Sequence, residues 1–202
     1  TTANITAKAL SVSGITASNK IYDSDAVATL DTTSLIYNGI VAGDDFTGTY
    51  TGAFNNKNVG TGKTVTVNSI TLANGANGGL AANYSVATGQ TTTATVTAKP
   101  LIVSGITASN KIYDSNAVVT LDTTSLVYNG IVAGDDFSGT YSGVFADANV
   151  GTNKTVTITP TYSGTDVGNY SITNHPTVTA NIVAKTLTAT ASAANKIYDA
   201  TN

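Results

Sequence analysis

The chain has 202 residues, a formal net charge of -3 and a charged fraction of only 10%. Every base is lysine and every acid is aspartate, and the lysines are scattered singly, so no basic stripe exists that could bind a row of phosphates. The absence of cysteine excludes disulfides, thiol nucleophiles and thiolate metal sites. No apolar run approaches the roughly 18 residues that a membrane span requires, so neither nucleic acid nor a membrane span is expected.

Short runs with alternating apolar residues follow one another along the chain, and each is typical of a half-buried strand. In the first half they centre on Leu10, Val65, Ile70, Tyr84 and Val96. Turn signals such as Asn38-Gly39 and Asn74-Gly75 separate them. The pattern predicts an all-β fold, in which about seven strands form an antiparallel sandwich of immunoglobulin-like size.

One segment leaves an alternative architecture open. Asp31 could cap a single helical turn over Thr32–Tyr37. A short helix beside a small sheet would indicate β-grasp-like repeats instead of sandwiches.

The chain contains an internal repeat. Lys8–Asn68 realigns on Lys99–Thr159 at a constant offset of 91 residues, with 47 of 61 positions identical. Five residues are then missing from the second copy, and the offset becomes 86. The deletion falls in a Gly- and Asn-rich tract, which predicts a surface loop.

The repeat predicts the domain boundaries. Residues 9–98 and 99–184 form repeats 1 and 2, residues 1–8 match the tail of a preceding repeat, and residues 185–202 match the head of a third. We therefore expect further copies on both sides in the natural protein. The connection Ala98–Leu101 contains no Gly/Ser spacer, which predicts a semi-rigid array.

Several ordered motifs carry a family resemblance. These are KIYDS at Lys20 and Lys111, GDDF at Gly43 and Gly134, NVGTGKTVTV at Asn58, NVGTNKTVTI at Asn149 and NYS at Asn83 and Asn169. Together they resemble the YDG-type repeats, relatives of the MBG repeats, of large bacterial exported adhesins, often filamentous haemagglutinin-like. The resemblance implies a secreted or cell-surface location in a bacterium, and it implies no catalytic residues or cofactor. Serine replaces the family's glycine at Ser24 and Ser115, so we expect that position to avoid a positive φ.

Carboxylates on turns are the best candidates for a metal site, because calcium prefers several oxygen ligands. Asp31 recurs as Asp122, and the other acidic residues that recur in both repeats are the calcium candidates Asp23, Asp44, Asp45, Asp114, Asp135 and Asp136. Their spacing lacks the density of an EF-hand loop. We therefore expect them to bond neighbouring backbone groups instead, and we predict no metal site.

Other side chains offer little chemistry. His175 is the only histidine and has no counterpart in repeat 1, so neither a catalytic triad nor a histidine metal site is expected, and we predict that the chain is not an enzyme. Lys20 and Lys63 leave an intramolecular isopeptide crosslink open, which the intact mass would reveal.

The recurring aromatics leave two functions open. In the core they would suit a structural spacer, whose near-identical repeats hold a binding tip away from the cell. On the surface they would suit a multivalent module that binds surface glycans or matrix. The spacer is the prediction, with neighbouring repeats of the same chain as the expected partners.

Overall fold

The computed structural model describes residues 1–174 and 177–200, which fold almost entirely into strands and turns. The first ten strands are β1 (Lys8–Ser13), β2 (Thr16–Ala17), β3 (Lys20–Ile21), β4 (Val27–Ala28), β5 (Leu30–Asp31), β6 (Ile36–Asn38), β7 (Phe46–Phe54), β8 (Gly60–Asn74), β9 (Tyr84–Val86) and β10 (Thr91–Thr97). The second ten are β11 (Lys99–Ser104), β12 (Thr107–Ala108), β13 (Lys111–Ile112), β14 (Val118–Val119), β15 (Leu121–Asp122), β16 (Val127–Asn129), β17 (Ser138–Phe145), β18 (Gly151–Ser163), β19 (Tyr170–Asn174) and β20 (Val178–Val183). The all-β prediction is confirmed.

The helical content of the described residues is small. Two single-turn 3-10 helices, Ala81–Asn83 and Val167–Asn169, precede β9 and β19. None of the helical segments in this part of the chain has the length and apolarity to cross a membrane.

The chain forms two compact units whose boundaries differ from those of the sequence repeats. Unit 1 comprises Thr1–Val103, Val127–Gly139 and Tyr162–Asn174, and unit 2 comprises Ser104–Leu126, Thr140–Thr161 and His175–Asn202. Unit 1 therefore contains all of repeat 1 together with residues 99–103, 127–139 and 162–174 of repeat 2.

Unit 1 is built on a five-stranded sheet with the order β3-β10-β8-β7-β4. Two three-stranded sheets, β6-β1-β9 and β16-β11-β19, and the strand pair β2-β5 accompany it. Its core includes Val65, Val96 and Phe54 of repeat 1, and Leu101 and Tyr170 of repeat 2 join the same buried cluster. The hydrophobic core of unit 1 thus continues from one repeat into the next.

Unit 2 contains a five-stranded sheet with the order β13-β20-β18-β17-β14 and the strand pair β12-β15. Strands β17 and β18 contribute their residues 140–145 and 151–161 to this unit. Val119, Phe145, Val156 and Ile182 form its core. The alternation of buried and exposed residues in β18 and β20 matches the period of two that the sequence predicts.

Strand pairing is mixed in both units. Strands β1 and β9 pair in parallel, as do β3 and β10, whereas β7, β8 and β10 form antiparallel ladders. The parallel pairs join strands that are distant in sequence. Their direction therefore depends on how the chain returns to the sheet, which an alternating pattern does not encode.

The helical turn of the β-grasp alternative does not form. The side chain of Asp31 accepts a hydrogen bond from the backbone N–H of Thr33 at 2.9 Å, and the backbone N–H of Leu35 donates to the carbonyl of Thr32 at 3.1 Å. The chain then enters β6 at Ile36. Asp31 caps a turn, but that turn is not helical and leads into a strand.

One glycine is required in each copy of the SGIT segment. Gly14 has φ 81°, and a Cβ there would overlap the Ser34 carbonyl group. Gly105, with φ 82°, approaches the Ser125 carbonyl in the same way. Only glycine combines this backbone angle with this close approach.

Candidate functional site

The acidic residue of each KIYDS motif stabilises a local turn. Asp23 accepts a hydrogen bond from the backbone N–H of Asp25 at 3.2 Å and pairs with Lys20 at 2.7 Å. Asp114 accepts from Asn116 at 3.1 Å and pairs with Lys111 at 2.8 Å, and the ammonium group lowers the pKa of Asp114. The two hydrogen bonds from backbone N–H groups agree with the interpretation that these aspartates bond neighbouring backbone.

The residue after each of these aspartates adopts the left-handed conformation. Ser24 has φ 71° and Ser115 has φ 68°. The expectation of a negative φ was therefore wrong. The geometry that favours glycine is retained although serine occupies the position, because the surrounding turn fixes the backbone.

The second aspartate of each GDDF motif anchors the loop that differs in length between the repeats. Asp45 accepts hydrogen bonds from the backbone N–H groups of Ala76 at 3.1 Å and Asn77 at 2.8 Å. Asp136 accepts from the backbone N–H of Thr165 at 2.8 Å. The two loops thus have different lengths and the same anchor.

The first aspartate of each GDDF motif binds a buried tyrosine. The hydroxyl of Tyr84 donates to Asp44 at 2.6 Å, and the hydroxyl of Tyr170 donates to Asp135 at the same distance. Each hydroxyl also accepts a backbone N–H, from Val41 at 3.2 Å in the first case. Burial, followed by the bond to Asp135, raises the pKa of Tyr170 to about 12.

The predicted acidic residues of each repeat therefore bond three separate sets of partners. Among the described residues, no group of three or more His, Cys, Asp or Glu side chains could surround a metal ion. His175 lies outside the described residues. Of the two lysines considered for a crosslink, Lys20 pairs with Asp23 and Asp25, and Lys63 donates to the side chain of Asn56 at 2.6 Å.

A polar cluster within unit 1 joins the two repeats, and sequence reasoning did not predict it. We call it the junction cluster; its members are Tyr22, Ser24, Lys57, Asn58 and Val59 of repeat 1 and Asp135, Asp166, Asn169 and Tyr170 of repeat 2.

Asp135 is the most buried charge of the junction cluster, with only 1% of its side chain exposed. The hydroxyl of Ser24 donates to its Oδ1 at 2.7 Å, and the Nζ of Lys57 lies 3.4 Å from the same oxygen. Burial disfavours the charged form, but the hydrogen bonds from Tyr170 and Ser24 outweigh it, so the pKa of Asp135 is lowered. A buried carboxylate with these partners fixes the orientation of the groups around it.

Asp166 forms the main ion pair across the junction. It precedes the 3-10 helix Val167–Asn169, and its Oδ1 lies 2.8 Å from the Nζ of Lys57. The hydroxyl of Tyr22 donates to the same oxygen at 3.2 Å, and the backbone N–H of Asp136 donates to the other at 3.0 Å. Lys57 lowers the pKa of Asp166, and Asp166 in turn raises that of Lys57.

Asn169 satisfies backbone and side-chain groups of repeat 1. Its Oδ1 accepts the backbone N–H of Val59 at 3.0 Å, and its Nδ2 donates to Asn58 at 3.2 Å. Only 4% of Asn169 is exposed, whereas its counterpart Asn83 is exposed. Because a buried amide needs hydrogen-bond partners, Asn169 requires repeat 1 beside it.

Aromatic packing completes the junction cluster. Tyr22 is 1% exposed and contacts Tyr170 edge-to-face, with ring centroids 5.6 Å apart. The Nζ of Lys57 lies 5.8 Å from the centroid of the Tyr22 ring. Both tyrosines belong to the hydrophobic core of unit 1, so the polar contacts border a continuous apolar contact.

The sequence did contain a signal for the missed residues. Lys57 aligns with Ala148, and Asp166 aligns with Leu80. The two copies thus differ together at an oppositely charged pair. A search for residues that recur in both copies overlooks such a pair, because its information lies in the difference.

The family of the chain follows from comparison with known proteins. The model of the YDG domain matches residues 6–94 and again residues 97–180. No curated protein and no solved structure matches the chain. Both matched segments contain the Tyr-Asp turn, the GDDF anchor and the tyrosine-aspartate pair described above, and the chain belongs to the YDG domain family.

Proposed function

We propose that this chain is a structural spacer, whose YDG repeats extend a bacterial surface or secreted adhesin and hold its binding tip away from the cell. The observation that carries the proposal is the junction cluster. There, Asp135 and Asn169 of one repeat are buried by contacts that include repeat 1. A spacer transmits position only when its modules are fixed to one another.

The covalent connection supports the same function. Strand β10 ends at Thr97 and β11 begins at Lys99, so a single residue separates them. Rotation at Ala98 would expose the apolar contact of Tyr22 and would leave Asp135 without Ser24. Losing a hydrogen bond to a buried carboxylate costs about 1.5–3 kcal/mol, which opposes free hinge motion.

The positions of the aromatic side chains favour the spacer over the glycan- or matrix-binding module. Tyr22, Phe54, Tyr84, Phe145 and Tyr170 are all less than 9% exposed. A sugar-binding platform needs aromatic faces that solvent can reach. These five side chains therefore serve the interior of the fold and are withdrawn from a ligand-binding surface.

The proposal includes a bacterial cell-surface or secreted location and a chain without catalytic activity. Its support is the YDG family match together with the structural use of the charged side chains. Asp23, Asp45 and Asp136 hold turns and loops, and Asp44 and Asp135 hold tyrosine hydroxyls.

A distance measurement between the two repeats tests the proposal. Asn68 and Thr159 are exposed residues at equivalent positions, and the chain contains no other cysteine, so Asn68→Cys/Thr159→Cys takes two spin labels cleanly. A spacer predicts a narrow distance distribution that Asp166→Ala broadens. Asp147→Ala, which removes an ion pair with Lys154 outside the junction cluster, is the control and should leave the width unchanged. A broad distribution in the unsubstituted chain would refute the spacer, and reproducible binding on glycan or matrix arrays would favour the alternative.

A further inference from the structure

Repeat 2 carries an exposed copy of the surface that repeat 1 buries at the junction cluster. Tyr113 is 38% exposed and Val150 is 54% exposed, whereas Tyr22 is 1% exposed and Val59 is partly buried. Leu187 aligns with the buried Leu101. An open groove of about 430 Å³ lies here; it is lined by Tyr113, Asn149, Val150, Ala184, Lys185 and Leu187.

Repeat 1 carries the complementary surface, on which Val41 and Asn83 are exposed and Tyr84 is buried. Val41, Asp44, Asn83 and Tyr84 align with residues of repeat 2 that lie at the junction. They border an open groove of about 410 Å³. Leu80, which holds the position of Asp166, is 53% exposed.

The exposed surfaces differ from the observed junction at one pair of positions. Seven members of the junction cluster recur unchanged in the other repeat. On the repeat 1 side, Tyr22, Ser24, Asn58 and Val59 recur as Tyr113, Ser115, Asn149 and Val150. On the repeat 2 side, Asp135, Asn169 and Tyr170 recur as Asp44, Asn83 and Tyr84. The exceptions are the two ion-pair partners: Ala148 replaces Lys57, and Leu80 replaces Asp166. An apolar pair would therefore take the place of the ion pair.

We propose that the exposed surface of repeat 2 docks the complementary surface of a second copy of repeat 1, and that the Lys57–Asp166 and Ala148–Leu80 positions determine which repeats can be neighbours. The inference rests on the proposed function, because it assumes that successive repeats dock. A repeat with lysine at position 57 is followed by one with aspartate at the position of Asp166, and a repeat with alanine at the position of Ala148 is followed by one with leucine at position 80. Repeats of the two kinds then alternate along an array.

The two mismatched neighbours are unfavourable for different reasons. A following repeat that carries Asp166 would place a nearly buried carboxylate against Ala148 without its cation. An unpaired buried charge is strongly destabilising. Leu80 against Lys57 is milder, since 35% of the lysine side chain is exposed and can remain hydrated. In the matched apolar junction, Leu80 cannot accept the hydrogen bond that Asp166 accepts from the Tyr22 hydroxyl, so the Tyr113 hydroxyl would take another acceptor such as water.

Two three-repeat proteins test the pairing rule. The first continues residues 1–184 with residues 8–98, which gives the order 1-2-1. The second continues them with residues 99–184, which gives the order 1-2-2. In both proteins the added repeat begins with lysine after Ala184, as in the natural sequence.

Hydrogen exchange at the Val150 amide reports docking, because the equivalent Val59 amide donates to Asn169. We expect protection in the order 1-2-1 to exceed that in the order 1-2-2 by at least about tenfold, given the cost of an unpaired buried charge. Ala148→Lys should restore protection in the order 1-2-2 and reduce it in the order 1-2-1. Protection at Val65, in the core of repeat 1, controls for folding.

The possible failures are distinguishable. Equal protection in the two orders, or no rescue by Ala148→Lys, would overturn the pairing rule while the spacer stands. Lack of protection at Val150 in both orders, with repeat 1 folded, would overturn docking and hence the spacer as well.

Discussion

Truncation of Tyr22 and of Tyr113 measures how much the junction cluster contributes to stability. The two residues occupy the same position, and each backbone N–H donates at 2.9 Å to a following strand, to Thr97 and to Val183 respectively. They differ in exposure, which is 1% for Tyr22 and 38% for Tyr113, a difference of 37 percentage points. Tyr113→Ala is thus the matched control for Tyr22→Ala.

The expected difference in unfolding free energy follows from this exposure. On roughly 200 Å² of tyrosine surface it corresponds to about 75 Å², worth about 2 kcal/mol at about 25 cal/mol per Å². The edge-to-face contact with Tyr170 adds about 1 kcal/mol. Tyr22→Ala should therefore destabilise unit 1 by about 3 kcal/mol more than Tyr113→Ala destabilises unit 2.

Equilibrium unfolding in urea supplies the total stability of each variant, and hydrogen exchange assigns the loss to a unit. Slow amides at Val65 report unit 1, and those at Val156 report unit 2, since both residues are fully buried. Equal losses for the two substitutions would refute the reasoning, because the contact with repeat 2 would then contribute nothing.

Three further outcomes are expected. The pKa of Asp135 is lowered in the fold, so the stability that its charged form contributes is present above the unfolded pKa of about 3.9 and is lost as the pH falls through the folded pKa. The unfolding free energy of Asp135→Asn should therefore fall less steeply with decreasing pH. An unchanged dependence on pH would contradict this. Ser115→Gly should raise the unfolding free energy by roughly 0.5 kcal/mol, because φ 68° suits glycine. Ser24→Gly should lower the unfolding free energy, because it removes the 2.7 Å hydrogen bond to Asp135. An increase for Ser24→Gly would contradict a stabilising role of that hydrogen bond. Calcium and a chelator should leave the melting temperature unchanged, and a rise with calcium would assign Asp44 and its counterparts to a metal site.

The sequence was sufficient for the fold class because periodicity and repetition are local signals. The alternation around Val65 and Val96 predicted strands whose inward residues are buried, and the recurring motifs indicated tandem repeats. The parallel pairing of Lys8 with Tyr84 could not be predicted, since it depends on the path of the chain between them.

The junction cluster was less accessible to sequence reasoning for a physical reason. Asp166 sits in the loop where the copies diverge, and Lys57 is one of nine scattered lysines, so neither forms a motif. Their proximity depends on how one repeat packs against the next. The positive φ of Ser24 was mispredicted because the conformational preference of serine is only one contribution to the backbone energy. The turn around Ser24 overrides that preference.

The parallel pairing of β3 with β10 has a mechanical consequence. Val96 and Thr97 lie beside Lys20 and Ile21, close to the point where the chain leaves repeat 1. Tension applied at the two ends of the repeat pulls parallel neighbours in opposite directions along their length. Their backbone hydrogen bonds are then loaded together in shear and do not break one after another. The hydrogen bond from the backbone N–H of Tyr22 to the carbonyl of Thr97 lies next to them and shares this load. The pairing of β13 with β20 repeats this geometry, so we expect both repeats to resist extension at the strand through which the chain leaves them.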